Sequence, residues 1–209
     1  MKNREIIIRR ALQLFRKHGV KSMSVERLTQ ELKLSRRALY SLFGDKEGLL
    51  TACLDLNYRE EINEFEKIRQ QGSDPIEVFI LAGQRVMERE FSLNPSFYHD
   101  ILYYYPDLRS KAIKLQGNFN RKQLIKLFEE GKQQKLFLDD TDEAISAESV
   151  ILLYESLFRA GPGLYEKSEY SKTAFFQKAI HPYLRGLCTE DGLLRLAQHT
   201  NKHQESMSW

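Results

Sequence analysis

The sequence predicts an all-α fold, and three observations carry that reading. Apolar residues recur with helical periodicity along the chain, no convincing alternating run is present, and no Asn-Gly or Asp-Gly hairpin turn occurs. The 209 residues are enough for one ordinary domain or two small ones, and 42% apolar against 29% charged residues argues against a disordered chain. No run approaches the ~18 apolar residues of a membrane span, and MKNREIII lacks the apolar core of a secretory signal. Cys53 and Cys188 lie far apart and match neither a zinc cluster nor a disulfide framework. A reduced, cytoplasmic protein without cofactor or membrane partner is the expectation.

Taken in order, Ile7, Ala11, Leu14 and Phe15 mark a first helix, with Gly19 where a C-cap belongs. Ser24 can cap a short helix containing Val25, Leu28 and Leu32, and Ser35 another containing Leu39, Leu42 and Phe43. Each cap carries a hydrophobic staple, Met23 to Leu28 and Leu34 to Leu39. Only Lys33 and Leu34 separate the two helices, a turn tight enough to cross them steeply as in a helix-turn-helix. Asp45 opens a long helix to about Arg69, closed near Gly72. Further helices are expected from Pro75 to about Leu93, Pro95 to Tyr104, Asp107 to about Gln134, Asp142 to Ala160 and Ser171 to Leu187. Gly161-Pro162-Gly163 breaks the chain between the last two. His199 to Trp209 reads as a polar, frayed tail, so the domains fall at 1–50, 51–198 and 199–209.

Charge singles out the first segment. Residues 1–50 hold twelve Lys and Arg against five acids, a net +7, while residues 51–209 carry a net −4. A basic head on a mildly acidic body points to a polyanion. On a helical wheel Leu39, Leu42 and Phe43 form the buried stripe of the second short helix. Arg37 and Ser41 point away from it, Ala38 and Tyr40 lie on the flanks and Arg36 near one edge. Arginine can bond guanine bidentately or grip phosphate, and Tyr and Ser suit phosphate oxygens. The Ser24, Ser35 and Asp45 ends expose backbone N–H groups, and Lys46 sits where the helix dipole disfavours a cation unless a phosphate is near.

Residues 6–50 resemble the N-terminal domain of the tetracycline-repressor-like (TetR) family of bacterial transcription regulators. The resemblance rests on Ala11, Leu14-Phe15, Gly19, Ser24-Val25, Leu28 and Leu34-Ser35, followed by the complete signature S-x-x-x-L-Y-x-x-F-x-x-K-E-x-L from Ser35 to Leu49. The family usually has glycine where this chain has Lys33, which is therefore expected to adopt a left-handed conformation at roughly 1 kcal/mol. It also usually has glycine at Arg37, often threonine at Ala38, and often an aromatic or His at Leu42. These departures bear on base preference rather than on DNA binding.

The resemblance implies an N-terminal three-helix helix-turn-helix domain followed by a helical domain that binds a ligand and dimerises. It implies a repressor that binds a palindromic operator in double-stranded DNA as a homodimer and is released by a small apolar or aromatic effector. Ser24, Ser35, Arg36, Arg37, Ala38, Tyr40, Ser41 and Lys46 are then the DNA-binding residues. Tyr98, Tyr103, Tyr104, Leu115, Phe119 and Tyr154 are the candidate ligand residues, though ordinary amphipathic packing accounts for the tyrosines equally well. Ile151, Tyr154, Phe158, Phe176, Ile180, Tyr183 and Leu187 lie on apolar stripes wide enough for an intermolecular four-helix bundle, with intramolecular packing as the alternative.

Catalytic readings fare badly. His199 and His203 have metal-ligand spacing but no Glu-x-x-His context, and Asp139, Asp140 and Asp142 read as a helix N-terminus rather than a calcium loop. No glycine-rich phosphate loop or nucleophile elbow is present, so no catalytic or metal residue is assigned. An all-α enzyme, or a helical adaptor docking through the basic head, is the alternative.

Overall fold

The computed structural model describes residues 2–94, 96–159 and 176–204. The chain divides into two compact units, residues 1–64 with 92–116 and residues 65–91 with 117–209. A division at residue 50 follows the helix-turn-helix motif, whereas the units follow packing. α6 joins the first unit because it packs on α1, and α4 runs on to Glu64 before the second unit begins.

In the first unit, α1 (Lys2–His18), α2 (Val25–Leu32), α3 (Arg36–Phe43) and the first half of α4 (Lys46–Gln71) close around one apolar cluster. Ala11, Phe15, Met23, Leu28, Leu39, Leu49, Leu50 and Cys53 are wholly buried in it. Both residues of the Met23–Leu28 staple are buried, while Leu34 of the second is partly buried against the same cluster as Leu39. Each expected cap forms: the Ser24 hydroxyl accepts the Arg27 N–H at 3.2 Å, and the Ser35 hydroxyl accepts the Ala38 N–H at 3.1 Å. Asp45 caps α4, its carboxylate accepting the Gly48 N–H at 2.7 Å. Leu42 departs from the expected stripe and is 39% exposed, because a helix of two turns can bury only a narrow face, and Leu39 and Phe43 fill it.

Lys33 ends α2 in the left-handed region, at φ 54° and ψ 46°. Its N–H bonds the Gln30 carbonyl and the Leu34 N–H reaches back to Thr29, the paired bonds of a Schellman closure. A lysine there bears the cost of a Cβ that glycine lacks. Lys33→Gly is therefore expected to stabilise the protein by about 0.5–1 kcal/mol, offset in part by the freer unfolded chain, as measured by urea denaturation.

Among the described residues, the remaining helices are α5 (Pro75–Ser92), α6 (Ser96–Tyr104), α7 (Pro106–Gln133) and α8 (Glu143–Arg159), then a π-helical turn (Phe176–Ile180) leading into α9 (His181–Leu187), and α10 (Glu190–Gln204). Asp74 caps α5 through the Glu77 N–H at 2.9 Å, and Asp142 caps α8 through the Ile145 N–H at 2.8 Å. The core of the second unit centres on Phe128, whose ring meets Phe79 at 6.1 Å and Phe137 at 5.1 Å, with Ile76, Ile80, Val150, Ile180, Leu184 and Leu196 around it. Gly192 lets α10 approach the turn after α7, since a Cβ there would lie 1.9 Å from the Leu136 carbonyl oxygen. The expected Gly161-Pro162-Gly163 break, the start at Ser171 and the tail beyond Gln204 lie outside the described residues.

The expectation of a frayed segment from His199 is corrected. Residues 199–204 continue α10, and His199 is only 6% exposed. Its Nε2 lies 2.7 Å from an Asp74 oxygen, while Lys202 and His203 meet a Glu77 oxygen at 2.7 and 2.9 Å. Glu77 is itself buried and also accepts the Ser73 N–H and hydroxyl, at 2.8 and 2.7 Å. The polar residues of α10 that look solvated in sequence are satisfied by carboxylates more than a hundred residues earlier.

Candidate nucleic-acid interface

The outward face of α3 holds the residues that the helical wheel directs outward, joined by Leu42. Leu39 and Phe43 anchor it, leaving Arg36, Arg37, Tyr40 and Ser41 exposed and Ala38 half-buried. Tyr40 is 47% exposed and, with exposed Leu42, adds an apolar component facing solvent. Such a face offers guanidinium, phenol and hydroxyl groups that can hydrogen-bond base edges and phosphates, with methylenes for thymine methyls. The Ser24 and Ser35 oxygens are occupied as acceptors by their caps, so their own O–H groups remain to donate to a phosphate.

Two cations depart from a freely presented set. Arg36 is paired with Glu26 across the α2–α3 corner, both side chains 59% exposed. An exposed pair of this kind is worth at most about 1 kcal/mol and is opened by a competing phosphate. Lys46 is half-buried, and its ammonium donates to the Val20 carbonyl at 2.7 Å. Burial lowers its pKa and the Asp100 carboxylate works against that shift. Its unfavourable place in the first turn of α4 is thus answered within the protein, by the carbonyl that closes the α1–α2 turn.

Glu26 was not legible as a site residue, because its partner is set by the crossing of two helices. Glu26→Gln removes a carboxylate from the basic face and frees Arg36. Affinity for duplex DNA of any sequence should rise about three- to tenfold at low salt, read by fluorescence anisotropy across a salt series.

A second group of residues was also missed. The α1–α2 turn is gripped from the α5–α6 region: the Asn94 N–H donates to the Arg16 carbonyl at 2.8 Å and its side-chain amide to the Lys17 carbonyl at 3.2 Å. The buried Asp100 carboxylate accepts the Lys21 N–H at 2.6 Å, and the Lys21 ammonium lies 2.6 Å from the Tyr104 phenol oxygen. Gly19, at φ +79°, makes room for this contact, since a Cβ there would sit 3.0 Å from both Asp100 Oδ2 and Ser96 Cβ. Nothing in the local sequence marks Asp100, whose partner lies 79 residues away.

The profile described as "Bacterial regulatory proteins, tetR family" matches residues 7–53. Residues 7–53 are thus similar to the DNA-binding domain of that family. An uncharacterized HTH-type transcriptional regulator of Bacillus subtilis, YuxN, is 37% identical over 76 residues, taking in 36% of this chain and 26% of that protein. The match thus spans about a quarter of that relative's length. Among solved structures, a TetR-family regulator from Cytophaga hutchinsonii superposes with a TM-score of 0.74 at 21% identity, covering 90% of this chain and 96% of that one. Another, from Agrobacterium tumefaciens, gives 0.71 at 13% identity, covering 90% and 98%. These likenesses extend the shared fold well beyond the helix-turn-helix. The matching family model and these solved structures are those of transcription regulators. Among the described residues, no helix is long and apolar enough to cross a membrane.

The candidate ligand residues fall in both units and the dimer candidates in the second. Tyr98, Tyr103 and Tyr104 are 42%, 72% and 43% exposed on α6, and Leu115 is 42% exposed. Tyr103 stacks on His99 at 6.1 Å and Tyr104 is engaged by Lys21, so this aromatic cluster covers the outside of the first unit rather than lining an interior. Phe119 and Tyr154 instead belong to the second unit, Phe119 meeting Phe65 edge-to-face at 5.8 Å. Of the dimer candidates, Ile180 is fully buried in its own unit's core, and Tyr154 has its hydroxyl enclosed. Ile151, Tyr183 and Leu187 are half-buried, and the side chains of Phe158 and Phe176 lie outside the described residues. The apolar groups that α8 does expose are Ile145 and Leu152, at 66% and 55%, seven residues apart on one face. Helical periodicity locates such stripes but does not say which of two apolar faces turns inward.

Proposed function

We propose that this chain is a ligand-responsive transcriptional regulator, a repressor that binds a palindromic DNA operator as a homodimer. One observation carries the reading: a capped and stapled α2–α3 pair that leaves Arg36, Arg37, Tyr40 and Ser41 on one exposed face of a basic head. With α3 in the major groove, Arg37 reads a base and Ser24, Ser35, Tyr40 and Ser41 bind phosphate. Lys46 reaches a phosphate with the donors that Val20 leaves free. The dimer is assigned to the exposed α8 face containing Ile145 and Leu152, with Ile151 at its edge.

The effector acts from the second unit. α4 starts in the first unit at Lys46 and enters the second at Phe65, so a ligand that shifts its later turns also moves its first turn. The grip of Asn94 and Asp100 on the α1–α2 turn passes a movement of α6 to the head in the same way. Paired half-sites lie about 34–36 Å apart, so a small splay prevents both recognition helices from docking. A ligand preference of about 1–3 kcal/mol for the splayed state makes a useful switch.

The test is Arg37→Ala on operator duplexes. Affinity should fall by about 1–3 kcal/mol and discrimination should relax at one base pair per half-site, with other positions unchanged. A uniform loss across all sequences would assign Arg37 to phosphate and remove the base-reading role. A reporter fused to the bound promoter should gain output when the gene is deleted.

A further inference from the structure

Among the described residues, four buried side-chain polar atoms lack any hydrogen-bond partner: Arg69 Nη1, Gln84 Nε2, Thr141 Oγ1 and the Tyr154 hydroxyl. All four belong to the second unit. Thr141 sits in the turn between α7 and α8, where its backbone is already bonded to Leu138 and Lys132. The other three lie on helices around the core. Gln84 follows Ile80 by one turn and precedes Met87 on α5, and both neighbours are buried, at 1% and 3% exposure, so its amide is on the inward face. Tyr154 continues the buried stripe of Ala147 and Val150 on α8, and it packs against the same apolar cluster as Phe65 and Ile68 of α4. Arg69 follows Ile68 directly, and its Nη2 is held by Glu130 of α7 at 2.8 Å while Nη1 is left over.

Buried donors without acceptors are costly, and a folded protein keeps few of them. The three groups share a chemistry. The amide nitrogen and the guanidinium nitrogen can only donate, and the phenol can donate, so the missing group is an acceptor oxygen. The charge of Arg69 is already met by Glu130, and burial holds the Tyr154 phenol neutral. A second buried charge would therefore go uncompensated. The Phe65–Phe119 pair adds an aromatic wall.

We propose that the second unit binds an uncharged, largely apolar molecule bearing a hydrogen-bond-accepting oxygen such as a carbonyl, held by the Tyr154 hydroxyl with the Gln84 and Arg69 N–H groups. This rests on the ligand-responsive reading above and gives it a ligand class and three residues.

The experiment uses the full chain and two matched pairs of probes, benzophenone with diphenylmethane and 2-acetonaphthone with 2-ethylnaphthalene, each pair differing by a carbonyl in place of a methylene. Titration calorimetry should find the ketone bound about tenfold more tightly than its hydrocarbon. Tyr154→Phe should bring that ratio close to one, and Gln84→Leu should reduce it. Because Tyr154→Phe removes an unpaired hydroxyl, it should also raise the melting temperature of the ligand-free protein by about 2–4 °C. Equal affinity within both pairs, no binding of either ketone, a ratio unchanged in Tyr154→Phe, or a lower melting temperature for that variant would each overturn the proposal. A carbonyl preference that depends on Tyr154 but leaves DNA affinity unaltered would support this site and contradict the ligand-responsive reading instead.

Discussion

Glu77→Gln should lower the stability of the second unit by about 3 kcal/mol at neutral pH, the largest effect expected from a single side chain here. Burial works to raise the Glu77 pKa, but the Lys202 ammonium, the Ser73 hydroxyl and N–H, and His203 outweigh it and hold the carboxyl well below the usual carboxylate range. A group whose folded pKa is depressed contributes stability above its unfolded value and loses it as pH falls through the folded one. The native protein should thus lose stability steadily as pH drops below about 5. The Gln variant, with no charge to titrate there, should show a shallower acid limb. Urea denaturation at neutral pH and in mild acid measures both. Equal slopes for the two proteins would mean that Glu77 does not hold α10 to the start of α5.

The second large effect is expected from Asp100→Ala. The carboxylate is buried and accepts the Lys21 N–H from the turn that orders α1 against α2. Removing it leaves that N–H and the nearby Lys46 ammonium without their acceptor and counter-charge. A loss of about 2–3 kcal/mol is expected from the first unit, together with weaker binding to DNA of every sequence. Hydrogen exchange should show the Lys21 amide losing protection. Asp100→Asn keeps an acceptor oxygen and should recover most of the exchange protection, although not the attraction for Lys46. If Asp100→Ala leaves the Lys21 amide protected, the turn is fixed by Lys46 and Asn94 without it.

What the sequence reveals and what it hides divide by range. Ser24, Ser35 and Asp45 act within three residues of themselves, and Lys33 closes α2 through bonds spanning at most five, so the caps, the staples and the left-handed lysine are legible in one short window. The signature from Ser35 to Leu49 follows from the same local rules. Leu42 is exposed against expectation because periodicity gives a direction but not the width of the buried face. α10 was missed because His199, Thr200 and His203 fill the inward positions of its stripe. Polar residues turn inward only where distant carboxylates receive them, here Asp74 and Glu77. The three α6 tyrosines attract attention by composition, yet the groups that ask for a ligand are Gln84 and Arg69, ordinary in sequence and notable only once buried without acceptors. Tyr154, named for both pocket and dimer, has its hydroxyl enclosed.

Selection of bound duplexes from a random pool by the full chain tests the central claim most directly. The account predicts one enriched motif with two-fold symmetry, half-sites about one helical turn or a multiple apart, and a preferred base in each half-site that disappears with Arg37→Ala. Binding to that motif should fall steeply with added salt. Recovery of a pool no different from the input, or of an asymmetric motif indifferent to Arg37, would contradict the account.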